Sequence, residues 1–183
     1  MIASQVINRI MSFIPVHDEI QRGDIAFVRS YLDAGGDVNS DESGETMLTW
    51  AASMGQTEIV KLLIARGANP AIQSKGSGWT PLMNATMSRH TEVVHLLSKD
   101  ALDKVNKDGE TALIMAAYQG FPELFPHLVT PTNVQLVDKR GHSALSYAMQ
   151  TANDHAYKGH KEYIEGVAFL NGYVQATRQL TQK

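Results

Sequence analysis

The feature that most constrains this chain is a five-residue phrase that returns four times. Gly44-Glu45-Thr46-Met47-Leu48, Gly78-Trp79-Thr80-Pro81-Leu82, Gly109-Glu110-Thr111-Ala112-Leu113 and Gly141-His142-Ser143-Ala144-Leu145 share the pattern Gly-x-Thr/Ser-x-Leu. The hydroxyl residues stand at 46, 80, 111 and 143, so the period is 34, 31 and 32 residues. Three residues beyond each leucine comes an alanine: Ala51, Ala85, Ala116 and Ala148. A second apolar run follows, Ile59-Val60-Lys61-Leu62-Leu63 in one copy and Val93-Val94-His95-Leu96-Leu97 in the next. A unit of this size cannot bury its apolar face alone, so the copies must stack on one another.

Each position in the phrase has a physical task. Glycine supplies the positive φ of a tight turn. Thr or Ser then caps a helix by accepting from an orphan backbone N–H. Pro81 sits at the first helical position, where its missing N–H costs nothing. The alanines let two short helices approach closely. Gly55 and Gly120 end the first helices of their units. The pattern resembles the ankyrin repeat, a turn followed by a Thr-Pro-Leu-type helix start and two antiparallel helices. The strongest copy runs from Ser43 to Pro70, and an earlier one is recognisable from Val16 to Asn39. The resemblance covers roughly residues 15–170.

The expectation is therefore an all-α ankyrin-repeat solenoid of about five helix-turn-helix units, with β-turn fingers and terminal capping helices. As a single domain it divides into a capping helix at 1–14 and repeats at 15–40, 41–74, 75–106, 107–137 and 138–183. The capping helix rests on helical spacing of Ile2, Val6, Ile10, Phe13 and Ile14. Departures from the pattern mark irregular places. Arg89 stands where Gly55 and Gly120 end their helices, so that corner is expected to be strained or differently built. Pro126 falls inside the second helix of the fourth unit and predicts a short or kinked helix. In the fifth unit the helix-ending glycine is due near 152, but the next glycine is Gly159. An inserted loop is expected over 153–160, then a terminal helix from Tyr163 that closes the stack.

Composition narrows the function. The net charge of -3 gives no concentrated positive field for nucleic acid. With no cysteine, disulfides and thiolate or cysteine-zinc chemistry are excluded. No apolar stretch approaches the roughly 20 residues a membrane-spanning helix needs. The apolar residues of Met1–Ile14 are interrupted by Gln5, Asn8 and Arg9, so no cleavable signal peptide is read there. The expected location is the cytoplasm, or a host cell reached without such a signal.

Candidate chemistry is sparse. The seven histidines include His90/His95 and His155/His160, five apart, whereas helical metal pairs stand three or four apart. The ankyrin resemblance implies hydrogen-bonding roles at turns and helix ends for His17, His90 and His160, and no metal is expected. Gly76-Ser77-Gly78 belongs to a repeat turn, and no phosphate loop, nucleophile elbow or dinucleotide fingerprint occurs. Asn84-Ala85-Thr86 fits a glycosylation acceptor but lies on an expected helix. Asn39 and Asn69 resemble asparagines hydroxylated in some ankyrin proteins, while turn hydrogen bonding also accounts for them. No cofactor and no catalytic residue are expected. An enzyme using His155, Lys158 or His160 of the inserted loop is the competing reading.

What the resemblance implies about function is partner binding, through the turn tips and the exposed side of each first helix. Matched position by position, the turn tips are Glu45, Trp79, Glu110 and His142. One helix row is Trp50, Asn84, Met115 and Tyr147, and the next is Ser53, Met87, Tyr118 and Gln150, with Met54 beside it. The contact set expected on one concave face is thus Trp50, Met54, Trp79, Met87, Met115, Tyr118, His142 and Tyr147. For Trp50 and Tyr147, packing between repeats is the alternative. Aromatic residues dominate interface hot spots, which is why this set matters. The resulting expectation is a non-catalytic, monomeric protein-binding module acting as adaptor, inhibitor or effector. An immunity protein that neutralises a toxin is a further alternative.

Overall fold

The computed structural model describes residues 16–41, 44–154 and 157–181. The expected helix at 1–14 lies outside them. The chain divides into two compact units, one ending at Leu96 and one beginning at Leu97.

The first unit contains helices α1 (Val16–Arg22), α2 (Ile25–Asp33), α3 (Met47–Ser53), α4 (Thr57–Ala65) and α5 (Pro81–Met87), and α6 (Thr91–Leu97) ends at its border. The first helices α1, α3 and α5 pack in succession, and the second helices α2 and α4 pack beside each other. The second unit contains α7 (Ala112–Gln119), the 3-10 turn Pro122–Leu124, α8 (Phe125–Leu128), a second 3-10 turn at Asn133–Gln135, α9 (Ala144–Asn153) and α10 (Lys161–Thr181). There α7 packs on α9, and α10 packs on α9 and on both 3-10 turns.

All four hydroxyl residues cap their helices. Thr46, Thr80, Thr111 and Ser143 accept from the backbone N–H of Thr49, Met83, Ile114 and Ser146, each at 3.2 Å. Pro81 occupies the start of α5. The corner between first and second helices has one backbone design, in which an N–H reaches the carbonyl five residues back. Asp24→Glu19, Gln56→Ala51, His90→Ala85 and Phe121→Ala116 all span 2.9 Å. The residue inside each corner is left-handed: Gly23, Gly55, Gly120 and, alone among non-glycine residues described, Arg89 at φ 57°. A side chain in that conformation is disfavoured by about 1–2 kcal/mol. The strain expected at Arg89 is thus present, and its corner is built like the others.

The core is the repeated face of these helices. Leu48, Ala51, Leu82, Ala85, Leu113 and Ala116 are all essentially inaccessible, as are Val60, Leu63, Val94 and Leu97 of the second helices. The fourth repeat departs as Pro126 predicts: its second helix is only the four residues of α8, with Pro126 in the first turn, where no helical N–H is lost. In the fifth repeat α9 continues to Asn153, so the expected insertion starts one residue later, and Gly159 takes φ 87° before α10. The closing helix meets the fourth repeat at Gly166, where a Cβ would lie 2.6 Å from Pro122 Cβ.

Candidate functional site

The fingers that precede three of the four caps are organised by a polar residue that sequence reasoning passed over. Ser74, Asn106 and Asp138 recur at intervals of 32 residues and are buried. Ser74 Oγ accepts from Trp79 N at 3.1 Å. Asn106 Oδ1 accepts from the N–H of Asp108 and of Glu110, both at 2.9 Å. Asp138 Oδ1 accepts in the same way from Arg140 and His142, both at 2.9 Å. Each finger also closes by a main-chain bond, Ser74→Trp79, Asn106→Glu110 and Asp138→His142. The signal available in sequence was the period of a small polar residue five or six positions before the hydroxyl cap.

In the second unit the finger and the first helices build an aromatic cluster. Tyr147 is 5% exposed, and its hydroxyl donates to Asp138 Oδ2 at 2.7 Å. Tyr118 meets the Tyr147 ring edge-on with centroids 5.2 Å apart, and His142 lies tilted at 5.0 Å. Tyr118 is 55% exposed and His142 is exposed. Two accessible rings are therefore seated on a buried one. Burial, then the bond to Asp138 and its charge, push the Tyr147 hydroxyl up to about 12. Burial raises the Asp138 carboxyl, but the bonds from Tyr147, His142 and Arg140 together outweigh it and hold the carboxyl below its usual value.

In the first unit Trp50 is half-buried and stacks on the His17 ring, with centroids 5.5 Å apart and planes 24° apart. Trp79 at the finger tip and Met87 on α5 are half-buried, and Met54 is 38% exposed. His90 follows the role expected for it: Nε2 lies 3.0 Å from Ser53 O, and its ring fills the space where a Cβ on Gly55 would stand. Asn39 and Asn69 are turn residues. Asn39 Oδ1 accepts from Asn69 N at 2.8 Å, and Asn69 Oδ1 from Ala71 N at 2.9 Å.

Two members of the expected contact set are not on the surface. Met115 is 3% exposed and belongs to the core with Ile114, and Tyr147 is held inward by Asp138. The expectation of an exposed row at Trp50, Asn84, Met115 and Tyr147 is corrected accordingly: only Trp50 and Asn84 are partly accessible. One exposed residue was missed. Met149 is 49% exposed, although the same register position is fully buried at Ala52 and Ala117. Of the loop residues considered for catalysis, His155 lies outside the described residues, and His160 Nδ1 sits 3.3 Å from Glu162 Oε1 on the surface. Among the described residues no three His, Asp or Glu side chains converge on a metal-sized site, and no helix is long and apolar enough to cross a membrane.

A family model described as ankyrin repeats in three copies matches residues 16–108, half of the chain. This chain belongs to the ankyrin-repeat family. Repeats of this family generally mediate protein–protein interaction. A similar stretch occurs in the Schizosaccharomyces pombe glycerophosphocholine phosphodiesterase gde1, 37% identical over 54% of this chain and 9% of that protein. The mouse ankyrin repeat and SAM domain-containing protein 6 is 31% identical over 60% of this chain and 13% of its own length. Mouse protein phosphatase 1 regulatory subunit 12A is 39% identical over 48% of this chain and 9% of its own. The chain thus spans about a tenth of the length of each of these relatives.

Proposed function

We propose that this ankyrin-repeat protein binds a folded protein partner through its finger tips and first-helix surfaces, without turnover, as an adaptor, inhibitor or effector. The observation that carries the reading is the seating of Tyr118 and His142 on the buried Tyr147 ring. Exposed aromatic rings fixed from below lose little side-chain entropy on association, which suits them to interface anchoring. The first unit contributes Trp79, Met54, Met87 and the accessible edge of Trp50. Met115 and Tyr147 are core residues and are left out of the contact set. An immunity protein is the same mode of action with a toxin as the partner.

The test is affinity capture of partners with the tagged protein, run beside the Trp79→Ala/Tyr118→Ala double variant. A stoichiometric protein held by the wild type and lost from the folded variant is the expected result. Equal capture by both forms would sink the assignment of these residues.

A further inference from the structure

The fifth repeat carries in the open side chains whose equivalents the middle repeats bury. Two residues beyond the hydroxyl cap, Leu48, Leu82 and Leu113 are at most 1% exposed, but the next member of the row, Leu145, is half-buried. Six residues beyond the cap, Ala52, Thr86 and Ala117 are inaccessible, and Met149 is 49% exposed.

The second helices repeat the change. Five residues past the left-handed corners at Gly23, Gly55, Arg89 and Gly120 lie Val28, Val60, Val94 and Phe125, at most 2% exposed. Gly159 takes the same left-handed conformation before α10, and five residues past it Ile164 is 55% exposed. Eight residues past the corner, from the second repeat on, Leu63, Leu97 and Leu128 are buried, and Val167 is half-buried. All four rows open together at the last repeat of the series.

These rows belong to faces that stacking covers in the middle repeats, where α3 takes α5 and α7 takes α9. The fifth repeat keeps the residue types of such a face and leaves them accessible. A terminal repeat ordinarily turns a polar face to solvent, because an apolar one associates. The charged residues around Ile164 on α10 are balanced locally. Lys161 meets Glu165 at 3.2 Å, and His160 Nδ1 lies 3.3 Å from Glu162. What remains asks for an apolar, uncharged counterpart of the kind that meets inside the stack. A second copy of this chain brings one, in the same four side chains.

We propose that the fifth repeat is a dimerisation face, on which α9 and α10 of one copy stack against α9 and α10 of another across a two-fold axis. Met149 and Ile164 are its principal contacts. The same face on both copies closes the assembly at two, whereas a head-to-tail arrangement would run on. The pair replaces the single copy expected from the sequence. It uses none of the residues in the partner-contact set proposed above.

Sedimentation velocity at loading concentrations from about 1 μM to about 1 mM tests the proposal. The mass should rise from one chain to two, with a dissociation constant in the micromolar range, and go no further. Met149→Glu/Ile164→Glu sets carboxylates against their own copies. It should raise that constant at least about tenfold and keep the fold, since both positions are exposed. Either single variant gives the same reading at smaller size if the pair does not fold. The Trp79→Ala/Tyr118→Ala form should dimerise as the wild type does. One chain at every concentration, growth beyond two, or an undiminished dimer in the folded glutamate variant overturns the proposal. So does loss of the dimer in the Trp79→Ala/Tyr118→Ala form. Because the readout is self-association, absence of a dimer leaves the capture experiment and its reading standing.

Discussion

Trp50 and Tyr147 occupy the same place in two repeats, four residues beyond the hydroxyl cap, and they meet opposite fates. In each repeat an aspartate stands five residues before the cap, Asp41 in one and Asp138 in the other. Asp138 turns inward, organises its finger and accepts the Tyr147 hydroxyl at 2.7 Å. Asp41 turns to Lys75 at 2.8 Å, and the Trp50 N–H is left without an acceptor among the described residues. One residue is drawn into the core and the other stays half-exposed, stacked on His17. The difference teaches that a large ring at this position is core or surface according to what its own finger offers the polar end of the ring.

That comparison can be broken first at Asp138. Asp138→Ala takes the acceptor from the buried Tyr147 hydroxyl and from the N–H groups of Arg140 and His142. The expected loss is about 3 kcal/mol, read by thermal or urea denaturation. A loss under about 1 kcal/mol would mean that the finger holds without its acceptor.

Tyr147 itself gives the next largest effect, as a dependence on pH. Its hydroxyl is raised from 10.0 to about 12 in the folded chain. The folded state therefore keeps its proton where the unfolded state releases it. This contribution is fully present below pH 10 and is lost as pH rises through about 12. Its size is roughly 2–3 kcal/mol. A Tyr147→Phe variant should lack this alkaline limb, and an unchanged limb would assign it to another group.

The smallest effect is expected at Trp50. Replacing the indole with phenylalanine removes an N–H that no described residue accepts, so Trp50→Phe should fall within about 1 kcal/mol of the wild type in either direction. A loss near that of Asp138→Ala would show that the indole N–H is engaged after all and erase the contrast between the two repeats.

The fold was legible wherever a local rule decides the structure. Caps depend on one hydroxyl and one N–H, so Thr46, Thr80, Thr111 and Ser143 were readable from their types and period. The left-handed corners were readable from glycine and, by its absence, at Arg89. Pro126 announced its short helix. The surface was less legible because exposure depends on partners distant in sequence. Met115 lies in the unbroken apolar run Ala112–Ala117, a burial signal that the repeat register overrode, and the hydroxyl of Tyr147 finds its acceptor nine residues upstream, in the finger. Met149 was missed for the converse reason: its register position is filled by a small buried residue, Ala52, Thr86 or Ala117, in the repeats that precede it.

The closing helix illustrates how a single missing atom can set a distance. Gly166 is the point at which the backbone of α10 comes against Pro122 and Phe125. A slide of one turn, about 5.4 Å, would bring Glu162 or Leu170 to that spot, and neither side chain fits there. Gly172, further along the same helix, has nothing within 4 Å of where its Cβ would be and exerts no such control. The helix therefore has one axial seating, metered by a notch in its own backbone.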